Sequence, residues 1–559
     1  MDEQKNLFTA LFLMIGLFLM FQVYQLISSP ANNQVKSEEV ATNEQSESDK
    51  VDNRSENPTP TVSDSRLPSL DLLENRDELG DDQPTSSLVR GEKRSILIET
   101  DLAVVTLNTE GGVISSYKLK NYNEIDGGMV DLIYHQSADS KVKIIPSPSV
   151  KFESSSFSDK LNHLNFEVVT DRQTGEQRDL LMRVVDQQSG IKVEKLYTFY
   201  NDKYHFDLEL RVISNQKWGK FDYSLLWFGL GDEQSSLQAI YSYQGPIVYN
   251  NNIKAADSPD EDQPTYNYEG DIKWGALVNR YYANFITDLG DNIDSKIATH
   301  YEGDDLYSVE RKGLETGQGY SFRIFLGPKV HKVLKEYDPT VMLLINYGWF
   351  DFIARPIYWL LNWFNNIFDN WGWSIIALTV LTKILFFPLT QKSFRSMKAL
   401  QKLQPHLKRI QTMYKGDKER LNEALMGLYK EHKVNPLSGC MPMLLQIPIF
   451  FALYKVLLES IELKGAPWIL WIVDLSQKDP YYITPLLMGA SMFVQQLLTP
   501  STGDPTQRKI MMILPVVFTF LFLSFPSGLV IYWLVNNLIT IAQQGIINRE
   551  ATNELAKET

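Results

Sequence analysis

The run SIIALTVLTKILFFPLT, residues 374–390, is apolar almost throughout, yet it places Lys383 among leucines and isoleucines. A charge inside a membrane-length apolar segment is costly. It persists by facing a bundle interior or water, or by reaching back to the headgroups. Lys383 lies five residues before Pro388, so snorkelling is one reading. Its companions supply another. Thr379 precedes it by one helical turn and shares its face. Gln446 stands near the same end of the next apolar run, and Gln495 and Gln496 near that end of the one after. Asn536 and Asn537 occupy the corresponding half of the last run, just below Tyr532 and Trp533. Polar side chains from four runs then share one half of the bilayer, which fits a wet cavity closed on the far side better than a through-pore. Lys383, Thr379, Gln446, Gln496, Asn536 and Asn537 would line such a cavity with one positive charge and neutral hydrogen-bonding groups, which suits solvation and charge attraction rather than bond making. No catalytic residue, metal or cofactor is expected. Cys440 is the only cysteine, and the seven histidines are scattered without ligand spacing. Neither NTEGG nor EIDGG opens a helix as a phosphate loop would.

The elements that must position these groups are membrane spans. The 559 residues carry a net charge of −14, which argues against DNA or RNA as the main partner. That average conceals an acidic, polar first third and a Trp-, Phe- and Leu-rich remainder. Residues 7–27 hold no charge and reach ~30 Å as a helix. They follow a start that is not basic and precede a poor cleavage signature, so 1–27 reads as an uncleaved anchor. Five further runs, 371–388, 441–458, 482–498, 510–525 and 529–547, bring the count to six. The segment between the first two of these five carries eleven Lys and Arg from Lys392 to Lys433 against Asp417, Glu419, Glu423 and Glu431. The following connection carries Glu459, Glu462, Asp474 and Asp479. By the positive-inside rule the basic segment is cytoplasmic, both termini are cytoplasmic, and the long segment after the anchor lies outside.

Residues 28–94 are Ser, Asn, Glu, Asp and Pro with few apolar groups, the composition of a disordered acidic tether. From Ser95 short alternating runs begin. In YHFDLELRV, Phe206, Leu208, Leu210 and Val212 alternate with Asp207, Glu209 and Arg211, and YNDK ahead of it suggests a hairpin with IKVEKLYTFY. Similar runs to about Phe325 predict one all-β sandwich within 95–340. In 391–434 apolar residues recur at three- and four-residue steps on either side of the turn YKGDKE. The pattern predicts an antiparallel helical hairpin with a basic outside, which reads either as a solvated positive-inside face or as a docking surface for lipid headgroups or ribosomal RNA.

The segments WGWSIIALTVLTKILFFPLT, YKEHKVNPLSGCMPMLLQIPIFFALYKVL, DLSQKDPYYITPLLMGASMFVQQ and FPSGLVIYWLVNNL closely resemble, in order and spacing, the core of the YidC/Oxa/Alb family of membrane protein insertases. The region 95–340 is similar to the periplasmic β-super-sandwich of its Gram-negative members. WFDFIARPIYWLLNWF, within 349–369, resembles the interfacial amphipathic helix before the core. The resemblance implies a polytopic α-helical protein of the inner membrane. It has six spans, a five-helix insertase core at 371–547 and a cytoplasmic tail at 548–559. It implies insertion, folding and assembly of nascent membrane proteins in the lipid bilayer, alone or with the Sec translocon (SecYEG, SecDF), with the ribosome meeting the basic hairpin. It also implies that Lys383 stands where the family commonly has an arginine in a hydrophilic groove, and that Thr379, Tyr532 and Trp533 match groove positions meeting the nascent chain. Two other classes stay open on the residues alone. A secondary transporter using Lys383 as coupling charge would need a repeated half or a carboxylate partner, which the five core runs lack. A membrane-tethered carbohydrate-binding protein would leave the polar inner half unexplained.

Overall fold

The computed structural model describes residues 91–558 except 125–126, 134–146, 153–154, 216–218, 229–242, 251, 256–258, 261, 291–294, 304–305, 415, 433, 435–440 and 499–504. The expected anchor at 1–27, nearly all of the tether at 28–94, and Cys440 lie outside the described residues. The chain divides into two compact units with the break between Gly327 and Pro328.

The first unit is antiparallel in every described pairing. A four-stranded sheet has the order β1 (Ser95–Glu99), β2 (Ala103–Asn108), β3 (Val113–Asn123), β4 (Met129–Asp131). A five-stranded sheet joins β13 (Thr265–Gly270), β16 (Ser295–Gly303), β17 (Leu306–Glu315), β10 (Asp222–Phe228) and β5 (Ser149–Phe152). A nine-stranded sheet runs β12 (Asn252–Ala255), β11 (Gly245–Asn250), β14 (Trp274–Val278), β15 (Tyr282–Asp288), β18 (Gly319–Pro328), β9 (His205–Ile213), β8 (Ile191–Tyr200), β7 (Gln177–Asp186), β6 (Glu167–Thr174). One short helix, α1 (Ser155–Asn162), follows β5. The period-two pattern of β9 sets its burial: Phe206, Leu208, Leu210 and Val212 are fully enclosed. The register pairs Phe199 with Phe206 across the YNDK turn. Strand β8 is enclosed on both faces. On one of them Lys195 sits buried and donates to the Gly111, Gly112 and Pro148 carbonyls at 2.9, 3.1 and 2.8 Å, one acceptor for each ammonium proton. Gly111 has φ +75°, and a side chain there would run into the Asn162 carbonyl, so the NTEGG turn needs its glycine for packing.

The second unit is helical: α2 (His331–Leu334), α3 (Asp351–Phe368), α4 (Trp371–Lys402), α5 (Gln404–Met413), α6 (Lys418–Glu431), α7 (Met441–Glu459), α8 (Ile483–Leu498), α9 (Pro505–Phe522) and α10 (Ser527–Glu558). Among the described residues, Trp371–Lys402 and Ser527–Ile547 are long and apolar enough to cross a membrane, and Ile483–Leu498 and Met511–Phe522 are shorter apolar helices. Helix α10 packs against both α4 and α8, and α3 lies across α4 and α7. The helix containing Lys383 does not stop at Pro388. It continues through the first half of the expected hairpin to Lys402, where Pro405, in the first turn of the next helix, breaks the backbone ladder. The hairpin proper is therefore α5–α6. Leu407, Leu421, Leu425 and Leu428 form its seam, Gly416 (φ +107°) its turn, and Asp417 caps α6 through the Arg420 amide at 3.1 Å. At the other end α10 runs past Ile547 to Glu558.

Candidate functional site

The helical unit is turned inside out relative to a water-soluble bundle. On α4, Ile384 and Leu385 are 66% and 68% exposed, whereas Ser374 and Thr379 are fully buried. On α10, Leu538 and Ile546 are exposed while Asn536, Asn537, Thr540, Gln543 and Gln544 are buried. Outward apolar and inward polar faces are what a lipid solvent selects.

Lys383 is turned inward rather than toward an end of its helix. Its ammonium donates to Thr540 Oγ1 of α10 at 2.8 Å, and the Thr540 hydroxyl donates in turn to the Asn536 carbonyl at 2.7 Å. Among the described residues Thr540 is its one hydrogen-bond partner, which leaves two ammonium protons for water or a substrate. One turn on, Gln543 Nε2 reaches the Phe387 carbonyl at 3.5 Å, and Lys398 Nζ donates to the Ile547 carbonyl at 2.7 Å. These contacts lace α4 to α10. On the opposite flank Asn537 Nδ2 donates to Ser491 Oγ of α8 at 3.0 Å, and Ser491 back-bonds the Met488 carbonyl at 2.6 Å. Tyr532 is buried, and the Gln446 amide lies against its hydroxyl.

The structure thus brings Lys383 to Thr540 and Gln446 to Tyr532; Asn536 is buried one turn before Thr540 on α10 and enters this hydrogen-bond chain through its backbone carbonyl rather than its side chain. Asn537 is directed to α8. Thr379 caps nothing across helices: its hydroxyl donates to the Ile375 carbonyl at 2.7 Å. Trp533 sits elsewhere, in an aromatic cluster with Phe450, Phe518 and Phe522 at centroid distances of 4.8, 6.0 and 5.4 Å. Gln496 is half-buried on α8, and among the described residues none of these hydrogen bonds reaches it. Sequence reading missed Thr540, Ser491, Gln543 and Gln544. The signal for three of them was present, since Asn536, Thr540, Gln543 and Gln544 recur at the four- and three-residue steps of one helix face.

A second polar cluster lies at the other end of the bundle. Lys329 and Glu459 pair at 3.4 Å with side chains 4% and 6% exposed. Tyr358 donates to Glu462 at 2.6 Å, and the His331 ring stacks on Tyr358 at 4.1 Å. Burial raises the Glu462 carboxyl above its ordinary range. His331 is pushed down to about 4, by burial first and by neighbouring Arg355 second. These contacts bind residues 329–358 to the end of α7.

A helical unit with a polar interior and a lipid-matched exterior, joined in sequence to a large antiparallel sandwich, defines a membrane-embedded protein with an extramembrane domain. Residues 363–554 match the family described as the 60 kDa inner membrane protein, and residues 95–360 match the YidC periplasmic domain. The chain is 37% identical over 478 residues to the membrane protein insertase YidC of Geotalea daltonii and 40% identical over 473 residues to that of Geotalea uraniireducens. Each alignment covers 82% of this chain and 87% of the relative. It is also similar, at 21% identity and a TM-score of 0.37, to a crystal structure of an active YidC insertase with its first transmembrane domain resolved; that match covers 81% of this chain and 92% of the other. The chain belongs to the YidC family of membrane protein insertases, which are inner-membrane proteins with a periplasmic domain and not enzymes.

Proposed function

We propose that this chain inserts nascent membrane proteins by receiving a short polar or acidic segment against the Lys383 face while the adjoining apolar segment passes into lipid. The observation that carries this reading is the inward Lys383–Thr540 bond on a helix whose other face is exposed and apolar. A lysine that only snorkelled would run along the helix toward the headgroups. Thr540 instead fixes the ammonium between α4 and α10 with protons to spare. A carboxylate on the translocated segment is drawn to that charge, which is effective because the surroundings are poor in water. Asn536, Gln446 and Tyr532 supply uncharged donors and acceptors that lower the cost of desolvating a peptide. Thr379 and Gln496 flank this face, and Trp533 and Asn537 hold α10 in register against α7, α9 and α8. The substrate's apolar segment moves along the exposed Ile384–Leu385 and Leu538–Ile546 surfaces, and its own burial in lipid drives the step. In this reading the groove opens to the cytoplasm, six spans cross the membrane, both termini are cytoplasmic and the sandwich is periplasmic. The basic α5–α6 hairpin meets the ribosome, and some substrates arrive through the Sec translocon.

The test is a substitution series at Lys383 with expression matched, read as protease protection of substrate tails after depletion of the wild-type protein. Insertion of acidic-tailed substrates should fall most for Lys383→Glu, less for Lys383→Ala and least for Lys383→Arg. Neutral-tailed substrates should be affected less throughout. Equal insertion by the Leu, Glu and Arg variants overturns the electrostatic role.

A further inference from the structure

The connection between α7 and α8 contains a run that the insertion reading does not use. Residues 465–473, GAPWILWIV, hold no charge. Leu470 and Val473 at its tip are 80% and 69% exposed, and Ile469 is exposed beside them. Leu470 adopts φ +54°, a left-handed conformation in which glycine sits without strain and leucine does not. The loop is nonetheless rigidly built. The Trp468 amide donates to the Ile472 carbonyl at 3.0 Å, Ile472 to Ile469 at 3.2 Å, and Leu475 to Ala466 at 3.0 Å. Its base is fixed to two helices whose outer faces are apolar. Trp468 packs edge-on to Trp373 at 5.8 Å, and Asn370 donates to the Pro467 carbonyl at 3.2 Å, both at the start of α4. Trp471 Nε1 donates to Asp479 at 3.0 Å, and buried Asp479 accepts from the Thr484 amide at 2.7 Å in the first turn of α8.

We propose that the Trp468–Val473 tip is a membrane anchor that inserts Ile469, Leu470 and Val473 into the acyl region of the leaflet bordering the α7–α8 end of the bundle. The occupant is lipid because the tip continues the exposed apolar surfaces of α4 and α8 beyond the helix ends. Trp373, Trp471, Tyr481 and Tyr482 rim it as an interfacial aromatic set. Lys464 and Asp474 bound the uncharged run, so it carries no charge between them, and Lys478 stands four residues beyond Asp474. The fixed base holds the tip out; a loop free to fold back would bury these side chains against the bundle instead. The inference rests on the chain being membrane-embedded and is independent of the role given to Lys383.

The test uses the full chain with Cys440→Ser, which removes the only native thiol. Leu470→Cys or, in a second variant, Val473→Cys carries an environment-sensitive fluorophore. The protein is held in phosphatidylcholine–phosphatidylglycerol nanodiscs, and Met413→Cys on the hairpin serves as the aqueous control. Both tip probes should emit blue-shifted light, resist iodide and be quenched by phosphatidylcholine bearing a nitroxide at acyl carbon 5, while the Met413 probe shows the reverse. Iodide quenching at both tip sites without nitroxide quenching puts the tip in water and overturns the proposal. Protection from both quenchers means that protein covers the tip, and overturns it equally.

Discussion

Replacing Lys329 by methionine tests how the helical unit grips the segment that leads into it. Lys329 and Glu459 are 3.4 Å apart with side chains almost fully enclosed. At an effective dielectric near 20 their attraction is about 5 kcal/mol. Most of that is offset by the desolvation of both ions, so the net value of the pair is small, while the loss on removing one partner is about 3–5 kcal/mol. Lys455 also interacts with Glu459 and remains as a counter-charge, which places the expected loss for Lys329→Met at the lower end of that range. Removing Glu459 takes a counter-charge from two lysines, so Glu459→Met should cost more. The double variant exchanges the Lys329–Glu459 pair for apolar contact but still lacks the carboxylate beside Lys455, so it should regain part of the loss and be more stable than Glu459→Met. The assay is a double-mutant cycle on denaturant-induced unfolding of the full chain in detergent micelles, followed by tryptophan fluorescence. A loss below about 1 kcal/mol for Lys329→Met, or a double variant no more stable than Glu459→Met, would refute the reasoning.

In the sandwich, burial alone would raise the Glu310 carboxyl, but His300 at 2.7 Å, Ser224 at 2.6 Å and Lys151 at 3.1 Å outweigh it and hold Glu310 at about 2 against an ordinary 4.5. A depressed carboxylate contributes stability above its unfolded pKa and loses it as the pH falls through the folded value. Protection factors at β16 and β17, taken relative to the intrinsic exchange rate at each pH, should therefore fall between pH 4.5 and about 2, reflecting a loss on the order of 3 kcal/mol. Glu310→Gln should flatten that dependence, and an unchanged pH profile in this variant would count against the assignment. In the helical unit, a methyl on Gly489 would collide with the Thr519 hydroxyl, which is committed to the Pro515 carbonyl at 2.7 Å. Gly489→Ala should lower the thermal midpoint of the full chain by an amount equivalent to about 1–3 kcal/mol, with partial recovery on adding Thr519→Ala; a midpoint equal to the parent's contradicts close α8–α9 packing.

The sandwich was legible because its strands are amphipathic at period two: Phe206 to Val212 alternate in sequence, and from Leu208 to Val212 in burial, while Asp207 is enclosed by its pairing with Arg323. Strand β8 was less so, because it is enclosed on both faces and carries interior charges: Lys195 is held by distant backbone carbonyls, and Glu194 pairs with Arg183 through Oε1. The helical unit announced itself through apolar runs, yet run length misplaced the end of α4. Hydropathy falls after Pro388 while the backbone ladder continues until Pro405 interrupts it. The strand runs end near Phe325 in the sequence, close to the unit boundary at Gly327, whereas no periodicity marks the attachment of 329–350 through the Lys329–Glu459 pair and the stacking of His331 on Tyr358. For the site, composition singled out Lys383, Asn536 and Gln446; Thr540 was legible only by its spacing from Asn536, and Ser491, ordinary in an apolar helix, gains meaning only from what it touches. Trp533 shows the converse: the family resemblance marked it as a groove position, whereas in the structure it packs on Phe450 and Phe522.

The lacing of α4 to α10 has a mechanical consequence. Lys383–Thr540, Gln543–Phe387 and Lys398–Ile547 splint two long rods together from within the apolar run to its basic extension. The twenty residues from Lys383 to Lys402 make a stiff arm of ~28 Å. Beyond it the chain turns at buried Leu403, where one helix ends and the next begins. The α5–α6 hairpin therefore starts from the far end of that arm, and a load applied to it is carried along α4 while the splinted rods hold the spacing around Lys383 fixed.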